Sequence, residues 1–228
     1  DLIEKEKQEN ARKKLIANIS HEFKTPLTII SGYSQLMLSE AKDEENKKSL
    51  NVMISESERL SNLVHEFLEI SKLESGNIKL NKEKVDINTL IKDEIEKLDV
   101  DIKNKRLNIK LDLCKDGNLI VDKKEFTKVV ENLLTNAIKF TKGDKRIVIK
   151  TYVKNEYFYY EVYNSGDNIN ESDLKNIFNS YYKDKSTRNK KGTGLGLTIV
   201  KVVVDLHDGE CFVKNTSDGI KFIIKIKK

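Results

Sequence analysis

The sequence predicts a two-part fold: an α-helical hairpin that pairs with a second copy into a dimeric four-helix bundle, followed by an α/β two-layer sandwich. Three observations predict it. Apolar residues recur every three or four positions over most of residues 2–74, interrupted by the polar run SEAKDEEN at 39–46. From about residue 78 the pattern changes to short alternating apolar runs between helix-length segments. Those strand-like runs are grouped behind and between the helical ones, the order of a sheet with helices packed on it.

The first helix is predicted over 2–38, where Ala11, Leu15, Ile19, Pro26, Ile29, Ile30, Tyr33 and Met37 form the stripe. Pro26 lacks a donor and crowds the preceding turn, so a bend is expected there. The second helix is predicted over 47–74, striped by Leu50, Met53, Ile54, Leu60, Val64, Phe67 and Leu68, and stopped by Ser75-Gly76-Asn77. Two such helices cannot enclose a core alone, so residues 1–75 are expected to dimerise, the alternative being that they pack against the rest of the chain. Residues 76–82 read as a hinge and 83–228 as the second domain. There, Val85-Asp86-Ile87 leads into a helix over 88–104. Leu107, Ile109, Leu111 and Leu113 alternate with polar residues and predict a half-buried strand. A short strand at 119–121 precedes Asp122, which caps a helix running to Phe140. Strands follow at 145–153 and 157–163. A polar stretch at 165–192 leads to a helix over 194–207, a strand around Val213, and a last strand marked by Ile220, Phe222, Ile224 and Ile226. No internal repeat is present.

Composition narrows the function classes. With 228 residues, 35% charged and 38% hydrophobic, the chain reads as soluble. A formal charge of +5 spread through many lysines is weak evidence for nucleic-acid binding, and no nucleic-acid partner is expected. No apolar run approaches the roughly 20 residues that cross a bilayer, and no signal-peptide pattern is present. The chain starts at Asp1 in mid-helix pattern and reads as a fragment of something longer. Cys114 and Cys211 are too few and too far apart for a disulfide scaffold or a zinc site, which points to reduced structural thiols and a cytoplasmic location.

Chemistry concentrates in three places. The first is SHEFKTPLT, Ser20 to Thr28. Neutral imidazole is a nucleophile near pH 7, so His21 can accept a phosphoryl group if one ring nitrogen is free and the other oriented. The adjacent carboxylate of Glu22 can orient it or raise its nucleophilicity. Thr25 lies one turn on, with a hydroxyl able to position water. Taken singly, a helix histidine is more often a surface residue, and His65 is read so. His207 stands near a helix C-terminus, where the dipole favours a cation, and is assigned a structural role. The second place is the helix ending at Phe140. Asn132, Asn136 and Lys139 share one face, while Phe126, Val130, Leu133, Leu134 and Ile138 form the apolar one. Amide oxygen suits Mg2+ and lysine suits phosphate. Glu125 and Glu131 would serve only with the metal between them and phosphate. The third is KGTGLGLTIV, where Gly192, Gly194 and Gly196 open a helix and let its amides approach phosphate oxygens. It is not a Walker A loop, since the Gly-Lys-Ser/Thr ending is missing. Before it, Lys183, Lys185, Arg188, Lys190 and Lys191 sit in a long polar loop, either solvated or a lid over triphosphate.

With these motifs in this order, the whole chain resembles the cytoplasmic catalytic core of a bacterial two-component sensor histidine kinase. Residues 1–75 resemble its phosphoacceptor and dimerisation domain. Those from about 80 resemble the GHKL/Bergerat ATP-binding fold shared with gyrase B, Hsp90 and MutL. The resemblance implies His21 as phosphoacceptor, Glu22 as base or orienting carboxylate, and Thr25 as a contributor to dephosphorylation. It implies Asn136, with Asn132 nearby, as Mg2+ ligand, Lys139 on the phosphates and Phe140 against the nucleotide. Ile177-Phe178 and Tyr181-Tyr182 resemble the F box. Gly192, Thr193, Gly194, Leu195 and Gly196 resemble the G2 box, with Lys183 and Arg188 among the lid cations.

The G1 box departs from the family's DxGxG: here it is Asn164-Ser165-Gly166-Asp167-Asn168. Asn164 replaces the aspartate that binds the adenine amine, and keeps an acceptor without charge assistance. A similar Asn-x-Gly form occurs in kinases resembling the vancomycin-resistance sensors. Lys183, where arginine is common, keeps charge but loses the bidentate fork. The implied activity is ATP-dependent autophosphorylation of His21, then transfer to an aspartate on a response regulator receiver domain, with phosphatase activity toward that regulator. ATP and Mg2+ are the implied cofactors, and a missing N-terminal part is expected to anchor the full-length protein in the membrane. The alternative is an ATP-binding dimeric scaffold that signals by shape. A gyrase-type hydrolase would leave SHEFKTPLT unexplained.

Overall fold

The computed structural model describes residues 23–74, 79–179 and 195–228. They fall into two compact units, one holding the described residues up to Glu74 and the other nearly all of those from Lys79 onward.

The first unit is a helical hairpin. Helix α1 covers residues 23–40 and stays helical through Pro26. Helix α2 spans Glu44–Glu74. It starts three residues earlier than its apolar stripe suggests, because the Asp43 carboxylate accepts from the backbone N–H of Glu45 and Asn46 and so caps it. Each helix buries residues seven apart on one face: Leu27 and Ser34 on α1, Leu50 and Ser57 on α2. The buried Ser34 hydroxyl is satisfied by the Ile30 carbonyl at 2.8 Å. Phe23, Tyr33, Leu36, Met37, Val52, Met53, Leu60 and Phe67 stay exposed in the single chain. His65 is a surface residue, as its sequence setting suggests.

The second unit is an α/β sandwich. Its elements are β1 Lys82–Asp86, α3 Ile87–Lys97, α4 Asp99–Lys105, β2 Asn108–Asp112 and β3 Asn118–Asp122. They continue with α5 Lys123–Phe140, β4 Arg146–Lys154, β5 Tyr157–Ser165, α6 Glu171–Leu174, α7 Gly196–Leu206, β6 Glu210–Asn215 and β7 Gly219–Lys227. The main sheet has the order β2-β4-β5-β7-β6, with β2 parallel to β4 and the rest antiparallel. A two-stranded ribbon pairs β1 with β3.

One sheet face carries Ile147, Ile149, Phe158, Tyr160, Val162, Ile220, Phe222, Ile224 and Ile226, all buried. Phe126, Val129, Val130, Leu133 and Leu134 of α5, with Ile199, Val200, Val203 and Val204 of α7, supply the second layer. Helices α5 and α7 pack on each other, α5 on β5 and α7 on β6.

Several expectations change. The helix predicted over 88–104 is two helices, because Leu98 takes φ −94°, ψ 7° and ends the first. Strand β1 has no counterpart in the apolar pattern: KEKVD buries only Val85, as a ribbon edge does. The predicted half-buried face of β2 is incomplete. Ile109 is half-buried but Leu111 is exposed, since β2 is the sheet's edge and pairs with β4 alone. Both cysteines are free, and burial pushes the Cys211 thiol up to about 12.

His207 keeps its structural role but not the charge expected of it. The ring is buried and neutral rather than the cation that a helix C-terminus favours. Its Nδ1 lies 2.8 Å from Val203 O, and its Nε2 accepts from the Asp122 backbone N–H at 2.9 Å. That pair of partners requires the neutral ring with the proton on Nδ1. Burial lowers its pKa from 6.5, with Lys82 nearby adding to the effect against Asp122 and Asp208. The ring therefore joins the end of α7 to the start of α5. Asp122 there caps α5 by accepting from Glu125 N–H at 3.1 Å.

The unfolded chain binds this proton more readily than the folded one. The stability it contributes is complete above pH 6.5 and is lost as pH falls from there toward the folded-state value. Urea midpoints at about pH 7.5 and about pH 5.5 should differ less for His207→Gln than for the parent. Equal differences in the two proteins would show that His207 is not the titrating group.

Candidate functional site

The site is built around α5. Asp122 satisfies its first turn, and the Lys105 ammonium satisfies the Ile138 carbonyl in its last at 3.1 Å. The apolar stripe faces the sheet, which leaves Asn132 and Asn136 half-buried and Lys139 exposed on the other side. The Lys139 ammonium sits 4.9 Å from the centroid of the Phe140 ring. Asn132 donates its Nδ2 to Lys128 O at 2.8 Å, which leaves Oδ1 facing the first residue of α7. A Cβ at Gly196 would lie 2.5 Å from that oxygen, so α7 begins this close to α5 only because residue 196 is glycine. Glu125, a conditional metal candidate, is paired with Lys128 at 3.0 Å.

The end of β5 reaches the same helix at its other end. Lys142 N–H donates to Ser165 O at 2.9 Å, and Ser165 Oγ donates to Lys142 O at 2.7 Å. Gly166 adopts φ +148°, and a Cβ there would lie 2.9 Å from Phe140 O. This close approach and positive φ explain the glycine. One residue before this pair, Asn164 is 2% exposed. Its Nδ2 contacts Ser165 O at 3.3 Å, while its Oδ1 is buried without a hydrogen-bond partner. A buried acceptor left unpaired costs about 1–3 kcal/mol, so it marks a place where a donor fits.

The structure thus brings Asn132 to Gly196, and Phe140 to Gly166 beside Asn164. Leu195 is buried just before α7. Thr25 is an exposed residue of α1. His21, Glu22, Lys183, Arg188, Gly192, Thr193 and Gly194, with Tyr181 and Tyr182, lie outside the described residues. The ring of Phe178 stands edge-on to Phe222 of β7, centroids 6.3 Å apart. Sequence reasoning missed Thr198, whose buried hydroxyl also lacks a partner. Its only signal was a hydroxyl among the mostly apolar residues that follow the glycine cluster.

This fold and this order of domains define a class. Residues 11–76 match the His Kinase A (phospho-acceptor) domain, and residues 121–228 match the histidine kinase-, DNA gyrase B- and HSP90-like ATPase family. The chain belongs to the sensor histidine kinases, as the phosphoacceptor-plus-ATPase core of that family. Among its relatives, the sensor protein SrrB of Staphylococcus aureus strain N315 is 32% identical over 234 residues, and that of strain MRSA252 is 31% identical. In both, all of this chain aligns with 40% of the relative, so the chain spans well under half their length.

Solved structures agree. The histidine kinase ThkA, in complex with the response regulator protein TrrA, superposes with a TM-score of 0.71 at 27% identity, covering 99% of this chain and 66% of that one. The Acinetobacter baumannii histidine kinase AdeS shares the fold, with a TM-score of 0.68 at 24% identity over 91% of this chain and 97% of that one. No helix among the described residues is long and apolar enough to cross a membrane.

Proposed function

We propose that this chain is the catalytic core of a protein-histidine kinase that phosphorylates His21 from ATP and passes the phosphoryl group to an aspartate of a response regulator receiver domain. The observation that carries the nucleotide half is the buried, unpartnered Asn164 Oδ1, set beside Gly166 and the Phe140 end of α5. It offers an acceptor for an exocyclic amine, which adenine has and the O6 edge of guanine lacks. Asn136 would hold Mg2+ through its amide oxygen, with Asn132 beside it on the helix face. Among the described residues no cluster of three or more His, Cys, Asp or Glu could hold a metal. A donor set of amides suits an ion carried largely by phosphate and water. Such an ion neutralises the charge of the transferring phosphoryl group.

In the transfer, a His21 ring nitrogen attacks the γ-phosphorus in line as the bond to the leaving diphosphate breaks. Glu22 orients the ring or takes its proton. Thr25 positions water in the reverse duty, hydrolysis of the regulator's phosphate. The exposed apolar side chains of α1 and α2 support a homodimer through residues 1–75, since one hairpin cannot bury them. Membrane anchoring would come from a segment preceding this chain.

Incubation with γ-labelled ATP tests the proposal: the labelled protein should lose its label in acid and keep it in base. ATP binding without acid-labile label would overturn kinase activity and leave a nucleotide-binding scaffold. Asn164→Asp tests the base contact. A carboxylate acceptor should tighten ATP binding by about 1 kcal/mol and raise the ATP-to-GTP preference. The free protein should lose stability, because the carboxylate cannot donate to Ser165 O as Nδ2 does. Calorimetric titration with both nucleotides reads this, and an unchanged ratio would remove residue 164 from base recognition.

A further inference from the structure

The segment after Asn164 is held by the turn between β6 and β7. Gly166 N–H donates to Asp218 O at 3.0 Å, and Asn168 Nδ2 donates to Thr216 O at 3.0 Å. The Asn215 side chain accepts from Ile169 N–H at 3.0 Å and donates to Ile169 O at 2.6 Å. One carboxamide thus satisfies both backbone groups of one residue, as a neighbouring strand would.

The register ties this amide to the site. Asn215 pairs with Ile220, and Ile220 pairs with Asn164, so the three form one row across β6, β7 and β5. At the next row a Cβ on Gly219 would lie 2.1 Å from Asn164 O. The turn and the end of β5 are therefore in backbone contact, and a shift of one is felt by the other.

We infer that Asn215 and Asn168 are positioning residues of the nucleotide site, clamping residues 166–169 so that the Asn164 carboxamide keeps its oxygen free for the base; this rests on the nucleotide reading of Asn164 given above. The clamp also accounts for Asn168, which stands where the family pattern has a glycine: its side chain makes a bond that glycine cannot. Only a side chain with both a donor and an acceptor serves at Asn215. In Asn215→Asp an oxygen replaces Nδ2 and faces the Ile169 carbonyl, so attraction becomes repulsion at constant size.

The test is calorimetric binding of ATP and GTP to the parent, Asn215→Asp and Asn168→Gly, each also in an Asn164→Ala background. Asn215→Asp should weaken ATP binding roughly tenfold, the value of about one hydrogen bond, and should narrow the ATP-to-GTP ratio. Asn168→Gly should move both quantities the same way by less. In the Asn164→Ala background the Asn215 effect should largely vanish, because it acts through the missing carboxamide. ATP binding by Asn215→Asp at the parent's affinity would overturn the clamp, as would an undiminished loss without Asn164. If Asn215→Asp does not fold, Asn168→Gly carries the same comparison. A parent that binds no ATP would instead overturn the nucleotide reading itself, and the inference with it.

Discussion

His21→Gln is expected to abolish acid-labile phosphate incorporation and to leave ATP affinity unchanged. Glutamine keeps polar groups and helix-forming character, but its amide has no nucleophilic nitrogen lone pair. Loss of a nucleophile costs rate on the order of 10⁶-fold where no other group can replace it. Neither of the other two histidines has the motif setting of His21. His65 is a surface residue on α2, and His207 is buried with both ring nitrogens engaged. The proposed nucleotide site is built from α5, α7 and the end of β5, which belong to the second unit. The measurement is label incorporation and ATP affinity on the same preparation. Substantial acid-labile label on the variant would remove His21 as phosphoacceptor.

Asn136→Ala should cut autophosphorylation at saturating ATP by at least about a hundredfold, the order expected when a group stabilising transferring charge is removed. MgATP affinity should fall with it. The fold persists, because Asn136 is half-buried on the face of α5 away from the sheet, while Phe126, Val130, Leu133, Leu134 and Ala137 bury the other. Alanine also favours helix over asparagine. Circular dichroism should therefore match the parent, separating a lost ligand from a lost fold. Unchanged MgATP affinity and rate would place the metal on other atoms.

Where helices and central strands lie was legible because their apolar period reports the side facing the core. The stripe from Phe126 to Ala137 and the alternation from Ile220 to Ile226 are examples. The same signal failed at edges. Strand β1 and the exposed Leu111 of β2 pair on one side only, so burial imposes little pattern on them. The start of α2 and the break at Leu98 were set by a capping carboxylate and by backbone angles, which hydrophobic spacing does not encode.

The candidate site divides the same way. The residue types were readable: amides and a lysine on one helix face, glycines opening another helix, an asparagine two residues before a glycine. Their motifs, read together, pointed to nucleotide chemistry and a candidate phosphoacceptor, because phosphate, metal and phosphoryl transfer each require particular atoms at short sequence spacing. Packing decided the rest. Only the assembled sheet shows that Gly196 lies against Asn132, that Asn164 keeps one buried oxygen unpaired, and that His207 is a neutral link between two helices. Likewise Asn215, 51 residues from Asn164 in the chain, shares its row by strand pairing. A contact between distant residues depends on register and burial, which form only when the chain closes on itself, whereas a motif needs only its own few neighbours.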